Sequence, residues 1–214
     1  MPLEKALAAV LSDHTRFGQI FIQRTESGGF VLCHRDDKNV RDLEIFRKGD
    51  DALEIARYDD GGKYRPLKTA PNLRRGWQLE LVDLGELRRA LDYFYPGRVA
   101  VLAAWTEARL STTPLRETLD RQSGMYRIAA KISDAQIDNV VGNFCKSDGG
   151  CLRTILWKRD ARGAIPSTRL PPEKFDPTHD QTGRGENTIP ALCQEACSLL
   201  VAECRKAVKA ETDE

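Results

Sequence analysis

The alternation of apolar and polar positions predicts strands in the N-terminal half. Residues 17–24 and 30–35 are rich in β-branched and aromatic side chains, and two glycines, Gly28 and Gly29, lie between them. Short apolar runs joined by a glycine turn are typical of a β-hairpin. Residues 77–82, which start at a tryptophan, have the same character and predict a further strand.

Helical periodicity and capping residues predict most of the remaining elements. Asp83 and Ser133 each precede a periodic run and are residue types that favour helix N-termini. The predicted helices cover residues 3–11, 51–56, 83–94, 96–110, 113–124, 133–141 and 190–209. Residues 125–132 and 152–157 are further strand candidates, and residues 158–189, rich in Pro, Gly, Asp and Arg, predict a long loop.

This order of elements predicts an α+β fold in two parts. Residues 1–120 would form a small mixed α/β domain. Residues 121–214 would form a mainly helical domain with five of the six cysteines, four of which would form one metal site. We place the boundary in the segment 111–123, between an α+β part and the part that contains the cysteine pairs.

Charge and hydropathy exclude several classes of protein. The 33 Lys and Arg residues balance 32 Asp and Glu residues, so the net charge of +1 predicts neither nucleic-acid nor membrane binding. Glu4 and Lys5 interrupt the first apolar run, which is therefore typical of an amphipathic helix and not of a signal peptide. We expect a cytoplasmic protein, in which six cysteines suggest metal binding or catalysis before disulfides.

Two close cysteine pairs are the strongest chemical signal. Cys145 and Cys151 have C-x5-C spacing, and Cys193 and Cys197 have C-x3-C spacing. Four thiolates form the tetrahedral, soft-ligand site that iron–sulfur clusters and structural zinc both use. On the predicted final helix, Cys193 and Cys197 would lie on one face at positions i and i+4. Cys204 would lie about 16 Å from Cys193 along that helix, too far to share one cluster.

The spacing favours an iron–sulfur cluster and leaves zinc open. C-x3-C falls within the range of structural zinc sites, whereas C-x5-C is wider than that range. Gly149 and Gly150 would let backbone N–H groups approach anionic sulfur. Cys33, alone in a predicted strand, and Cys204 are expected to be core residues.

A second candidate site is basic. An irregular segment that ends at Trp77 contains Lys68, Arg74 and Arg75. Arginine side chains bind carboxylates well, so this segment could bind an anion or the carboxylates of a tetrapyrrole. The alternative is a solvated loop with a structural role. The sequence contains no Ser-His-Asp, Walker or dinucleotide-binding pattern, so we assign no catalytic residue.

Several stretches resemble one bacterial and archaeal family. They are RPLKTAPNLRRGW at residues 65–77, TPLRETL at 113–119, RQSGMYR at 121–127, CLRTILW at 151–157 and CQEACSLLVA at 193–202. The family is that of chelatase-like proteins related to sirohydrochlorin cobaltochelatases. The chain resembles their C-terminal half, a stabilising domain followed by a 4Fe–4S cluster-binding domain, over about residues 17 to 207.

The resemblance implies that Cys145, Cys151, Cys193 and Cys197 hold a 4Fe–4S cluster. It also implies a role in electron transfer, redox sensing or support of a chelatase or redox partner in tetrapyrrole or cobalamin metabolism. The alternatives are a metal chelatase enzyme and a structural zinc module with four cysteine ligands. Chelatase activity by this chain is disfavoured because no segment resembles the chelatase domains. Its histidines, His14, His34 and His179, are also far apart in sequence.

Overall fold

A computed structural model describes residues 3–64, 73–122, 124, 127–146, 154–157, 188–189 and 191–212. These residues form helices and a mixed sheet, which confirms the predicted α+β class. They divide into two compact units, one from Met1–Arg109 and Asp176–Ala191 and the other from Leu110–Phe175 and Leu192–Glu214. The boundary drawn from the sequence at residue 120 falls inside the helix Leu115–Gln122, in the second unit.

The strands and helices are numbered in chain order. The strands are β1 (His14–Phe17), β2 (Ile20–Arg24), β3 (Phe30–His34), β4 (Glu44–Phe46), β5 (Trp77–Leu81), β6 (Thr154–Ile155), β7 (Thr188–Ile189) and β8 (Leu192–Cys193). The helices are α1 (Leu3–Ala8), α2 (Ala52–Ile55), α3 (Leu84–Phe94), α4 (Arg98–Thr106), α5 (Leu115–Gln122), α6 (Asp134–Val140) and α7 (Ser198–Thr212). Within the described part of the chain, none of these helices is both long and apolar enough to cross a membrane.

The first unit contains a mixed sheet with the strand order β4-β5-β3-β2-β1-β7. Strands β2 and β3 are antiparallel, with Ile22 opposite Leu32, so the predicted hairpin is confirmed. The single strand predicted over residues 17–24 is wrong, because the chain reverses at Gly18 and Gln19 and separates β1 from β2. Gly18 has a φ of 60°, a conformation that glycine adopts without strain.

The reversal at Gly18 predicts a sensitive position. A Cβ atom there would lie 2.6 Å from ring atoms of Tyr95, whose hydroxyl accepts a hydrogen bond from the Gln19 N–H at 2.8 Å. We expect Gly18→Ala to lower the free energy of unfolding by about 1–3 kcal/mol through strain and overpacking. Gly28→Ala is the matched control, since Gly28 also has a positive φ but nothing within 4 Å of its would-be Cβ. Equal losses in urea unfolding would show that the Tyr95 contact is unimportant.

The core of the first unit lies between β5 and α3. Trp77 is fully buried and stacks on Phe94, with ring centroids 5.1 Å apart. Helix α3 begins after Asp83, whose carboxylate accepts the Glu86 N–H at 2.8 Å, so the predicted cap is confirmed. Its buried side chains are Leu87, Ala90, Leu91 and Phe94, one face of a helix.

The second unit contains α5, α6 and α7 with a two-stranded parallel pair, β6 and β8. Ser133 caps α6 as predicted. The strand predicted over residues 125–132 is wrong in its described part, which forms a turn and a short 3-10 helix, Ala129–Lys131. Arg116 stabilises this turn, because its guanidinium donates to the carbonyls of Ala130 and Ile132 at 3.3 and 2.7 Å. Those carbonyls therefore need no strand partner.

Candidate metal centre

Three of the four predicted cysteine ligands line one pocket in the second unit. Cys145 comes from the turn that follows α6, Cys193 from β8, and Cys197 from the residue before α7. Apolar side chains complete the lining: Phe144, Ile155, Trp157, Ala196 and Leu200. Cys151, Gly149 and Gly150 lie outside the described residues.

Strand pairing holds Cys193. Ile155 of β6 is paired with Cys193 of β8, and the Leu156 N–H donates to the Cys193 carbonyl at 2.9 Å. The Cys193 Sγ lies 3.0 Å from the Glu195 carbonyl, to which it donates. The prediction that Cys193 and Cys197 lie on one helix is therefore wrong. Backbone hydrogen bonds to β6, which lies far earlier in the chain, hold Cys193 in a strand. A short loop joins Cys193 to Cys197, and both side chains line the pocket.

Cys197 is the residue from which α7 starts. The Val201 N–H donates to the Cys197 carbonyl at 3.1 Å, which is the first hydrogen bond of this 15-residue helix. The N–H groups of the first helical turn have no partner within the helix, and the helix dipole is positive there. A helix start of this kind can stabilise a negatively charged group bound beside it.

Cys145 lies at the end of an unusual helical turn. Residues Val141–Lys146 continue α6 as a π-helix, which widens the turn and occurs often at functional sites. The Cys145 side chain is 7% exposed and packs in the hydrophobic core of the second unit. The Ser133 cap fixes the start of α6 and, through it, the position of this turn.

In the described part of the pocket wall, one buried polar atom lacks a hydrogen-bond partner. Trp157 is fully buried in the core of the second unit, and its indole Nε1 makes no hydrogen bond. Such an orphaned donor is costly unless a ligand supplies the acceptor. Trp157 follows Cys151 closely in the sequence, but the sequence did not predict that its side chain would line the cysteine pocket.

The donor set fits a thiolate-ligated group. Cys145, Cys193 and Cys197 line the same apolar pocket as Trp157, and cysteine sulfur is a residue type that suits a soft metal or an iron–sulfur cluster. The cavity has a volume of about 10 Å³, too small for an organic ligand, for which roughly 300–1,000 Å³ is usual. Among the described residues, no three His, Cys, Asp or Glu side chains are grouped as they would be around a single metal ion.

The other two described cysteines are core residues, as the sequence predicted. Cys33 in β3 is 7% exposed and Cys204 in α7 is 1% exposed. Burial raises the pKa of Cys33 to about 11, with a further contribution from Asp37. Burial likewise raises the pKa of Cys204 to about 11. The raised pKa values disfavour the thiolate form that metal ligation requires.

The basic segment is held by carboxylates where it is described. Arg74 pairs with Glu44 at 2.7 Å and Arg75 pairs with Asp36 at 2.9 Å. The indole N–H of Trp77 donates to the Arg74 carbonyl at 2.7 Å. These contacts support the structural interpretation of the segment, while Lys68 lies outside the described residues.

The histidines do not form a site in the described part of the chain. His34 is 2% exposed, and its Nδ1 accepts the Asp36 N–H at 3.2 Å. Burial lowers the pKa of His34, which keeps the ring neutral and preserves that acceptor. His14 lies in β1, and His179 lies outside the described residues.

Comparison with known proteins gives two family matches. Residues 107–206 match the 4Fe-4S iron-sulfur cluster binding domain, and residues 4–109 match the DR2241 stabilising domain. A solved structure, DR2241 from Deinococcus radiodurans, superposes with a TM-score of 0.70 at 26% identity. The match covers 97% of this chain but only 41% of DR2241. That protein is described as a multi-domain protein with structural similarity to chelatases and two additional novel domains. A search of curated proteins finds no match.

Proposed function

We propose that this chain is an electron-transfer module for a chelatase-type partner, because its two halves match the DR2241 stabilising domain and the 4Fe-4S iron-sulfur cluster binding domain. Cys145, Cys151, Cys193 and Cys197 would hold its 4Fe–4S cluster. The family matches confirm the resemblance found in the sequence. What we propose is the set of four cysteine ligands, the electron-transfer role and the chelatase-type partner.

The observation that carries the proposal is the convergence of Cys145, Cys193 and Cys197. They come from three different elements and line the same apolar pocket, inside the segment that matches the cluster-binding domain. Scattered core cysteines have no reason to meet in this way, and Cys33 and Cys204 do not line this pocket. Cys151 follows Cys145 closely enough in sequence to supply the fourth ligand.

A bound 4Fe–4S cluster supplies one-electron transfer. The residues of this chain define how that chemistry would be used. The first turn of α7 stabilises negative charge beside Cys197, and the apolar wall around Trp157 and Leu200 excludes water. Cys197 is only partly buried, and we propose that electrons reach a partner on its side of the pocket.

The link to a chelatase rests on the relative. DR2241 is described as similar to chelatases, and this chain spans 41% of its length. We propose that chelatase chemistry, insertion of a metal-ion substrate into a tetrapyrrole, belongs to a partner. This chain would supply or withdraw electrons. The neutral, buried His34 supports this division of roles, because its Nδ1 already accepts a hydrogen bond from the Asp36 N–H.

Anaerobic purification tests the proposal. We expect brown protein with about four irons and four acid-labile sulfides per chain, and reversible bleaching by a one-electron reductant. A colourless protein with one tightly bound zinc per chain would contradict the proposal and favour a structural zinc module. Saturable cobalt insertion into sirohydrochlorin by this chain alone would instead assign it the enzymatic role.

A further inference from the structure

We infer that Trp157 donates its indole N–H to a sulfur atom of the bound cluster and thereby raises the reduction potential of that cluster. The inference rests on the proposed 4Fe–4S cluster and assigns a specific residue to its regulation. It begins from two observations: Trp157 lines the pocket that Cys145, Cys193 and Cys197 share, and its Nε1 is buried without a hydrogen-bond partner.

The missing partner requires an explanation. Trp157 is fully buried, and buried indole N–H groups usually find an acceptor because desolvation without one is costly. The other buried tryptophan follows this rule, since the Nε1 of Trp77 donates to the Arg74 carbonyl at 2.7 Å. The contrast between Trp77 and Trp157 suggests that the acceptor for Trp157 arrives with a ligand.

The composition of the pocket identifies that acceptor as sulfur. Among the described residues, the lining side chains other than the cysteines and Trp157 itself are the hydrocarbons of Phe144, Ile155, Ala196 and Leu200. Hence the side-chain acceptors available in this lining are thiol or thiolate sulfurs. A neutral thiol is a weak acceptor, whereas a metal-bound thiolate or an inorganic sulfide carries negative charge and accepts more strongly.

The sign of the effect follows from charge. Reduction adds an electron to the cluster and increases the negative charge on its sulfurs. A hydrogen bond donated to one of them therefore stabilises the reduced form more than the oxidised form, and raises the reduction potential. Removing the donor should lower it.

Trp157→Phe removes the N–H and keeps an aromatic ring. We expect the variant to retain its iron and sulfide content. The equilibrium constant for its one-electron reduction, measured by anaerobic spectroelectrochemistry, should fall by up to about tenfold. This change corresponds to a reduction potential lower by about 59 mV. Since the smaller ring could loosen the core, a second variant carries 3-benzothienylalanine, which keeps the bicyclic shape and replaces only the N–H. Trp105→Phe in α4 of the first unit is the control and should leave the potential unchanged.

Pulsed EPR of the reduced cluster provides an independent measurement. Isotopic labelling of the tryptophan nitrogen should reveal a hyperfine coupling in the wild type that both Trp157 variants lose. A full cluster whose potential is unchanged in both variants would overturn the role of Trp157 and leave the proposed function intact. Wild-type protein that binds no cluster would overturn both.

Discussion

The Cys193→Ser protein is expected to contain less than about one iron per chain and to be colourless after anaerobic reconstitution, because serine is a poor ligand for a soft iron site. Cys193 is 8% exposed, and paired strands fix its backbone, so the loop cannot easily offer another sulfur in its place. Metal binding is coupled to folding in small metal-binding domains, so the melting transition of the second unit should also broaden and shift downward. Iron analysis, visible absorption and circular dichroism measure these effects.

The other cysteines provide matched controls for this variant. Cys204→Ala and Cys33→Ala remove buried thiols that lie outside the pocket. Both should keep a full complement of iron, with only a modest loss of stability. Normal iron content in Cys193→Ser, or loss of iron in Cys204→Ala, would mean that the ligand set is misassigned.

The second large effect is expected at Trp77 in the first unit. Trp77→Ala removes a fully buried side chain that stacks on Phe94 and donates a hydrogen bond to the Arg74 carbonyl. Large-to-small changes of this kind cost about 3–5 kcal/mol. Domain stabilities are only about 5–15 kcal/mol, so unfolding of the first unit should shift to much lower urea concentration.

Trp105→Ala is the comparison for this substitution. Trp105 is only partly buried on α4, so its loss should cost clearly less. Fluorescence of the remaining tryptophans would follow the urea transitions of the two proteins. A similar midpoint for Trp77→Ala and the wild type would show that the core of the first unit does not depend on this stacking.

Local signals predicted the elements that local interactions build. The carboxylate of Asp83 and the hydroxyl of Ser133 cap their helices within a few residues, and the glycine turn before β3 closes its own hairpin. These features are visible in sequence because both partners of each interaction are close together in the chain.

The errors arose where distant residues decide the conformation. Cys193 has helical neighbours in sequence, but β6 holds it in a strand. Gly18 lies within an apolar run, but the ring of Tyr95 lies against it and the chain turns there. The segment after residue 126 has a β-rich composition, yet Arg116 satisfies its carbonyls as a turn. Three cysteines of the two predicted pairs line one pocket, and their role as cluster ligands stays a prediction.

Strand β7 has a consequence for the order in which the protein can fold. Arg16 of β1 is paired with Thr188, so the sheet of the first unit gains its last strand only after most of the chain has been synthesised. A ribosome-bound chain that ends at Arg109 would present β1 as an open sheet edge, able to pair with another nascent chain. Chaperone protection during synthesis is therefore most needed in the interval before Ile189 emerges.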